Sequence, residues 1–146
     1  MKFNPKFKII NGDILTLKLI ETCKGDALVI SFYYYNIYLN TTPVGKISIR
    51  IGHNRHSYYN GNLGYEIDEP YRGRGYAKLV VEMLYKVALY HKMTHLIVSC
   101  DEDNYASKKV IQKLGAIYIE TISPPKNYIY YYKGMPKQSI FRINLK

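Results

Sequence analysis

The chain has 146 residues, 47% of them apolar, so it is read as a single domain over 1–146 that buries a core without disulfides and is not a disordered segment. Lys and Arg total 21 against 11 acids, a formal charge of +10 that suits a polyanionic partner, either nucleic acid or a phosphorylated cofactor, and equally a solvated basic surface. No apolar run is long enough for a membrane span, residues 1–5 lack an apolar signal core, and Cys23 and Cys100 lack metal-ligand spacing, so a cytoplasmic protein with free thiols and no metal is expected.

Rough alternation of apolar and polar residues predicts a strand over 15–22, closed by the turn Lys24-Gly25-Asp26. A long second strand is expected over 27–39, rich in β-branched and aromatic residues, and Thr41-Thr42-Pro43 breaks it. Residues 44–51 alternate again. A turn through Gly52, His53, Asn54, Arg55 and His56 leads to a fourth strand over 58–68, in which Gly61 and Gly64 mark a bulge or a close backbone approach. The period then changes: Ala77, Val80, Val81, Leu84, Val87 and Ala88 predict an amphipathic helix to about His91. A buried strand follows over 95–100, then a second helix with capping residues around Asn104 and a C-terminal Gly115. Strands over 116–122 and 140–145 close the chain.

One segment has the composition of an anion site. Between the fourth strand and the first helix stand Arg72, Gly73, Arg74 and Gly75. A helix N-terminus offers unpaired N–H groups and partial positive charge, glycines let backbone curl around an anion, and arginines add bidentate donors. Together they form a pyrophosphate cradle. It is neither a Walker loop, since no Gly-Lys-Ser/Thr follows, nor a three-glycine dinucleotide fingerprint. A tight basic turn is the competing structural reading.

The spacing Arg72-x-x-Gly75-x-Ala77 resembles the signature of the GNAT acetyltransferase family, and Asn104-Tyr105-Ala106-Ser107 with Lys113-Leu114-Gly115-Ala116 resembles its second block. The stretches from Gly61 to Tyr65 and from Tyr71 to Tyr76 are similar to a bacterial subgroup of that family. The resemblance covers residues 44–115 well and the C-terminal strands loosely. It implies a mixed α/β fold: a mostly antiparallel central sheet of about seven strands, a strand–helix–strand crossover and a shortened N-terminal helical region. It further implies that amides of Arg72, Gly73, Arg74, Gly75, Tyr76 and Ala77 bind the pyrophosphate of acetyl-CoA or CoA. By the same resemblance, backbone groups of Ile67 and Asp68 hold the pantetheine arm, and Asn104 and Ser107 contact the cofactor besides capping their helix. The implied activity is transfer of an acetyl group to an amine, of a small molecule or a peptide, by direct attack.

Two departures qualify that pattern. The acidic-role tyrosine that many members carry four residues before the glycine is Ile111 here, which cannot donate a proton. The helices between the first two strands are missing, so the acceptor side is either open, closed by the tyrosines at 33–35 and 128–132, or completed in a homodimer. Glu66 is the best-placed carboxylate for a base, against the competing reading of an outward strand residue, while His53 and His56 read as surface residues of a turn. A CoA-binding sensor without transfer is the alternative function. A nucleic-acid-binding domain ranks below it, because the basic residues are spread along the chain.

Overall fold

The structure is a computed structural model that describes residues 1–145. A 3-10 turn at Pro5–Lys8 leads into β1 (Ile9–Asn11), β2 (Leu15–Cys23), β3 (Ser31–Leu39) and β4 (Thr42–Ile51). A short helix α1 (Arg55–Asn60) precedes β5 (Leu63–Ile67). Helices α2 (Tyr76–Met83) and α3 (Tyr85–Tyr90), strand β6 (His95–Asp101), helix α4 (Tyr105–Lys113), β7 (Ile117–Ile122) and β8 (Gln138–Asn144) complete the chain. No helix among the described residues is long and apolar enough to cross a membrane.

The mixed α/β architecture is the expected one, with the strands divided between two sheets. Strands β1 to β5 form an antiparallel meander in chain order, and β6, β8 and β7 form a second sheet in that order. Since β6 and β7 each pair antiparallel with β8, they run parallel to each other, and α4 is the crossover that joins them. No ladder joins β5 to β6. Their meeting point is Asn62, whose backbone N–H donates to the Ile97 carbonyl at 2.6 Å and whose side-chain oxygen accepts from the Ile97 N–H at 2.8 Å. Beyond it, the edge of β5 that faces away from β4 carries no strand.

Several expected boundaries move, each for a local reason. The strand expected over 27–39 begins at Ser31, because the Asp26 carboxylate accepts from the N–H groups of Leu28 and Val29 and folds 27–30 into a turn. The strand expected over 58–68 shrinks to Leu63–Ile67. Asn54 and Ser57 form a reciprocal capping box that starts α1 through the supposed turn, overriding the strand preference of Tyr58 and Tyr59. Thr42 and Pro43 belong to β4, and the break before them is Asn40, at φ 56°. The helix expected to His91 is interrupted at Leu84, whose fully buried side chain nonetheless stays on the apolar stripe.

Most of the apolar residues read from periodicity form one core: Leu15, Leu17, Ile47, Ile49, Val80, Val81, Leu84, Val87, Leu96, Val98 and Ile111 all lie inside. Tyr33 and Tyr35 join them, with only 1% and 0% of their surface exposed, so they are packing residues and do not close an acceptor pocket. Their hydroxyls are satisfied from the N-terminal turn: Tyr35 donates to the Phe7 carbonyl at 2.8 Å, and the Tyr33 oxygen accepts from the Asn4 N–H at 3.1 Å. The thiols of Cys23 and Cys100 are free, Cys100 buried and Cys23 only half-buried.

Candidate functional site

The predicted anion loop folds as its composition implies. After β5 a 3-10 turn at Glu69–Tyr71 leads to Gly73 at φ 79° and Gly75 at φ 78°, both left-handed conformations that disfavour a side chain. Gly75 is the N-cap of α2 and has no side chain to occupy its N–H groups, so the amides of Tyr76, Ala77 and Lys78 point outward without intrahelical partners. A Cβ built on Gly73 or Gly75 meets nothing within 4 Å. The turn is therefore open to its surroundings at both glycines.

The two arginines play different parts. Arg72 Nε donates to the Ile67 carbonyl at 2.7 Å, which ties the loop back to the end of β5. Arg74 stacks its guanidinium over the Tyr71 ring at 5.3 Å. Asp68 donates its backbone N–H to the Val44 carbonyl at 2.8 Å, and its carboxylate caps no N–H. Asn104 is the N-cap of α4, accepting from the Ser107 N–H at 3.1 Å. Lys108 turns its ammonium to the Glu102 carbonyl.

Three elements meet where the β5 edge is free. Tyr65 of β5 lies beside the Ser107 side chain of α4 and near Cys100 of β6. Burial pushes the Tyr65 hydroxyl above its ordinary pKa, Ser107 pulling the other way, so it stays protonated at neutral pH. Burial likewise pushes the Cys100 thiol up. Sequence reading missed Tyr65 because alternation alone makes it one more strand aromatic; only its position opposite α4 distinguishes it.

Glu66 is exposed on the opposite face of β5, in register with Lys46 of β4. His56 departs from the surface reading, being 4% exposed in α1. Ile111 is fully buried in the core, so the position where a tyrosine was sought does not border the cradle. Ile111→Tyr is expected to cost about 1–3 kcal/mol in denaturant unfolding, through overpacking, without raising any thiol-release rate. Among the described residues no group of three His, Cys, Asp or Glu side chains is placed to hold a metal ion.

Comparison with known proteins bears on the fold and the family. No curated protein matches the sequence. Among solved structures, RimL, an α-N-acetyltransferase of ribosomal L7/L12, superposes with a TM-score of 0.70 at 13% identity over 94% of each chain. A structure of RimL with coenzyme A, held through a disulfide to the enzyme, gives 0.69 at 15% identity over 94% of this chain and 98% of that one. The microcin C7 self-immunity acetyltransferase MccE, in complex with acetyl-CoA and AMP, gives 0.61 at 15% identity over 78% of this chain and 61% of its own. At such identities these likenesses speak for the fold. The model of the GNAT acetyltransferase domain matches residues 16–117, more than half of the chain and inclusive of the cradle, β5 and α4. The chain therefore belongs to the GNAT acetyltransferase family.

Proposed function

We propose that the protein transfers an acetyl group from acetyl-CoA to the amine of a small molecule or a peptide. The observation that carries this reading is the uncapped N-terminus of α2, opened by two left-handed glycines, at the end of a strand whose outer edge is free. In this reading Arg72, Gly73, Arg74, Gly75, Tyr76 and Ala77 surround the pyrophosphate, and Ile67 and Asp68 offer backbone groups to the pantetheine arm. Asn104 and Ser107 flank the arm from α4. The activated acyl group belongs to the thioester; the protein orients it and manages protons. Glu66 takes the proton of the attacking amine, directly or through water. Tyr65, kept neutral by burial, supplies a proton to the departing thiolate and fills the role that Ile111 cannot. RimL, by its description, acetylates a protein α-amine, which supports a peptide amine as one acceptor class.

Two measurements test the reading. Calorimetric titration with acetyl-CoA and CoA is expected to give saturable binding at millimolar ligand or below; absence of binding ends the proposal. Thiol release over a panel of amines, polyamines, amino sugars and peptides separates an enzyme from a sensor. Binding without turnover on any acceptor would favour the sensor.

A further inference from the structure

A second polar site lies on the other face of β5. A recess of about 20 Å³ opens between residues 28–30 of the β2–β3 connection, Arg50 at the end of β4, helix α1, and Ile129 and Tyr130 of the β7–β8 connection. It contains polar groups that the protein leaves unpaired. His56 accepts the Ile129 N–H at its Nδ1, at 3.2 Å, so its Nε2 carries the hydrogen, and that buried N–H has no partner. The buried Oδ1 of Asn60 has none either. Arg50 donates through one terminal nitrogen to the Gly61 carbonyl at 2.9 Å and more weakly to the Asn60 carbonyl at 3.4 Å. No carboxylate among the described residues forms an ion pair with it.

A half-buried guanidinium without a counter-ion is costly, as is a buried N–H without an acceptor. Burial pulls the Arg50 pKa below its ordinary value, with the tyrosines 128 and 130 acting in the opposite direction. The guanidinium and the imidazole N–H share one remedy, a single negative charge with acceptor oxygens, and the Asn60 amide, rotated end for end, turns its NH2 to the same charge. The recess is small and offers one cation and one neutral donor, which matches a carboxylate; a phosphate dianion would call for more positive charge.

The location links this recess to the reaction. A Cβ on Gly64 would lie 3.4 Å from Arg50 Nη2 and 3.2 Å from Ser48 Oγ, so the guanidinium spreads over β5 where a side chain is missing. Gly64 and Glu66 share one face of β5, two residues and roughly 7 Å apart. The free edge of β5 from Ile67 back to Leu63 is about 13 Å long, enough to bring an extended arm from the cradle to the level of Gly64. We propose that the acceptor is an amine that also carries a carboxylate, and that Arg50 and His56 bind that carboxylate while the amine faces Glu66. The inference rests on the acetyltransferase reading above and names the acceptor class for it.

Matched acceptors test it: primary amines with a nearby carboxylate against the same amines as carboxamides, for example γ-aminobutyrate and its amide, or peptides with acidic residues near the N-terminus and their Gln counterparts. The carboxylate member is expected to have the higher kcat/KM by about tenfold to a hundredfold, the range of a charged hydrogen bond. Arg50→Gln is expected to collapse that ratio. His56→Asn, which keeps an acceptor for the Ile129 N–H but removes the orphan donor, is expected to reduce it while retaining the fold. Independently of turnover, titration of the protein with acetate is expected to shift the Arg50 Nε–H resonance saturably, and acetamide is not. Equal ratios for the two acceptor sets, or an acetate response no larger than that of acetamide, would overturn the proposal and leave an ordered water as the occupant. CoA binding is measured on the same samples. Its loss strikes the reading of the cradle, whereas loss of the acetate response with CoA binding intact strikes the carboxylate site alone.

Discussion

Gly75→Asp is expected to lower CoA affinity by two to three orders of magnitude, while Gly75→Ala keeps it within a few-fold. Both variants place a Cβ at φ 78° and pay the left-handed penalty of about 1–2 kcal/mol. Neither is excluded sterically, because a Cβ at Gly75 meets nothing within 4 Å. The difference between them is charge. Aspartate sets a carboxylate at the uncapped end of α2, where the amides of Tyr76, Ala77 and Lys78 gather partial positive charge. A charge pair 4 Å apart at an effective dielectric of 20 is worth about 4 kcal/mol, repulsive here against pyrophosphate. Calorimetry on both variants, with thermal melts to confirm folding, checks this result. A folded Gly75→Asp protein that binds CoA like the parent would remove the cradle from the mechanism.

The second large effect concerns stability. Asn62 is fully buried, and its side chain makes three hydrogen bonds: it donates to the carbonyls of Arg50 at 3.0 Å and Gly52 at 2.8 Å and accepts from the Ile97 N–H at 2.8 Å. Asn62→Ala leaves those three backbone groups without this partner at the point where the two sheets meet. At about 1–3 kcal/mol for each buried group left unsatisfied, a loss of at least roughly 3 kcal/mol is expected. For a domain of this size that corresponds to a fall in Tm of about 10 °C or more. Guanidinium unfolding measures it directly. A loss below about 1 kcal/mol would mean that water replaces the amide fully.

Asn62 also illustrates what a linear reading misses. Between Gly61 and Gly64 it looks like a residue of a bulged strand, and its partner Ile97 is 35 residues away. Arg50 has the same character. By alternation it is the polar member of a strand, and its lack of an ion pair among the described residues depends on four segments that converge only in the folded chain. His56 read as a turn residue until the capping box of Asn54 and Ser57 made the turn a helix and carried it inside. That signal was present in the sequence as Asn-x-x-Ser, but serine is a weaker marker at its second position than glutamate or glutamine. The tyrosines at 33 and 35 show the converse: their β preference placed them in a strand, while their depth was decided by the N-terminal turn that covers them.

The conformation of the loop from Arg72 to Ala77 was legible, and the α4 cap from Asn104, because both are local. A left-handed glycine, a helix start and a side chain bonding to an amide three residues on depend only on neighbours in the chain. The family could be recognised for the same reason, its blocks being short and their separation set by one helix and one strand. Tertiary structure alone decided how the strands divide into two sheets, that β5 keeps a free edge, that Tyr65 faces Ser107, and that Arg50 and His56 share a recess. Each of these depends on burial and pairing between residues distant in sequence, and the energy that selects them exists only once the core around Leu17, Ile47 and Val80 has closed.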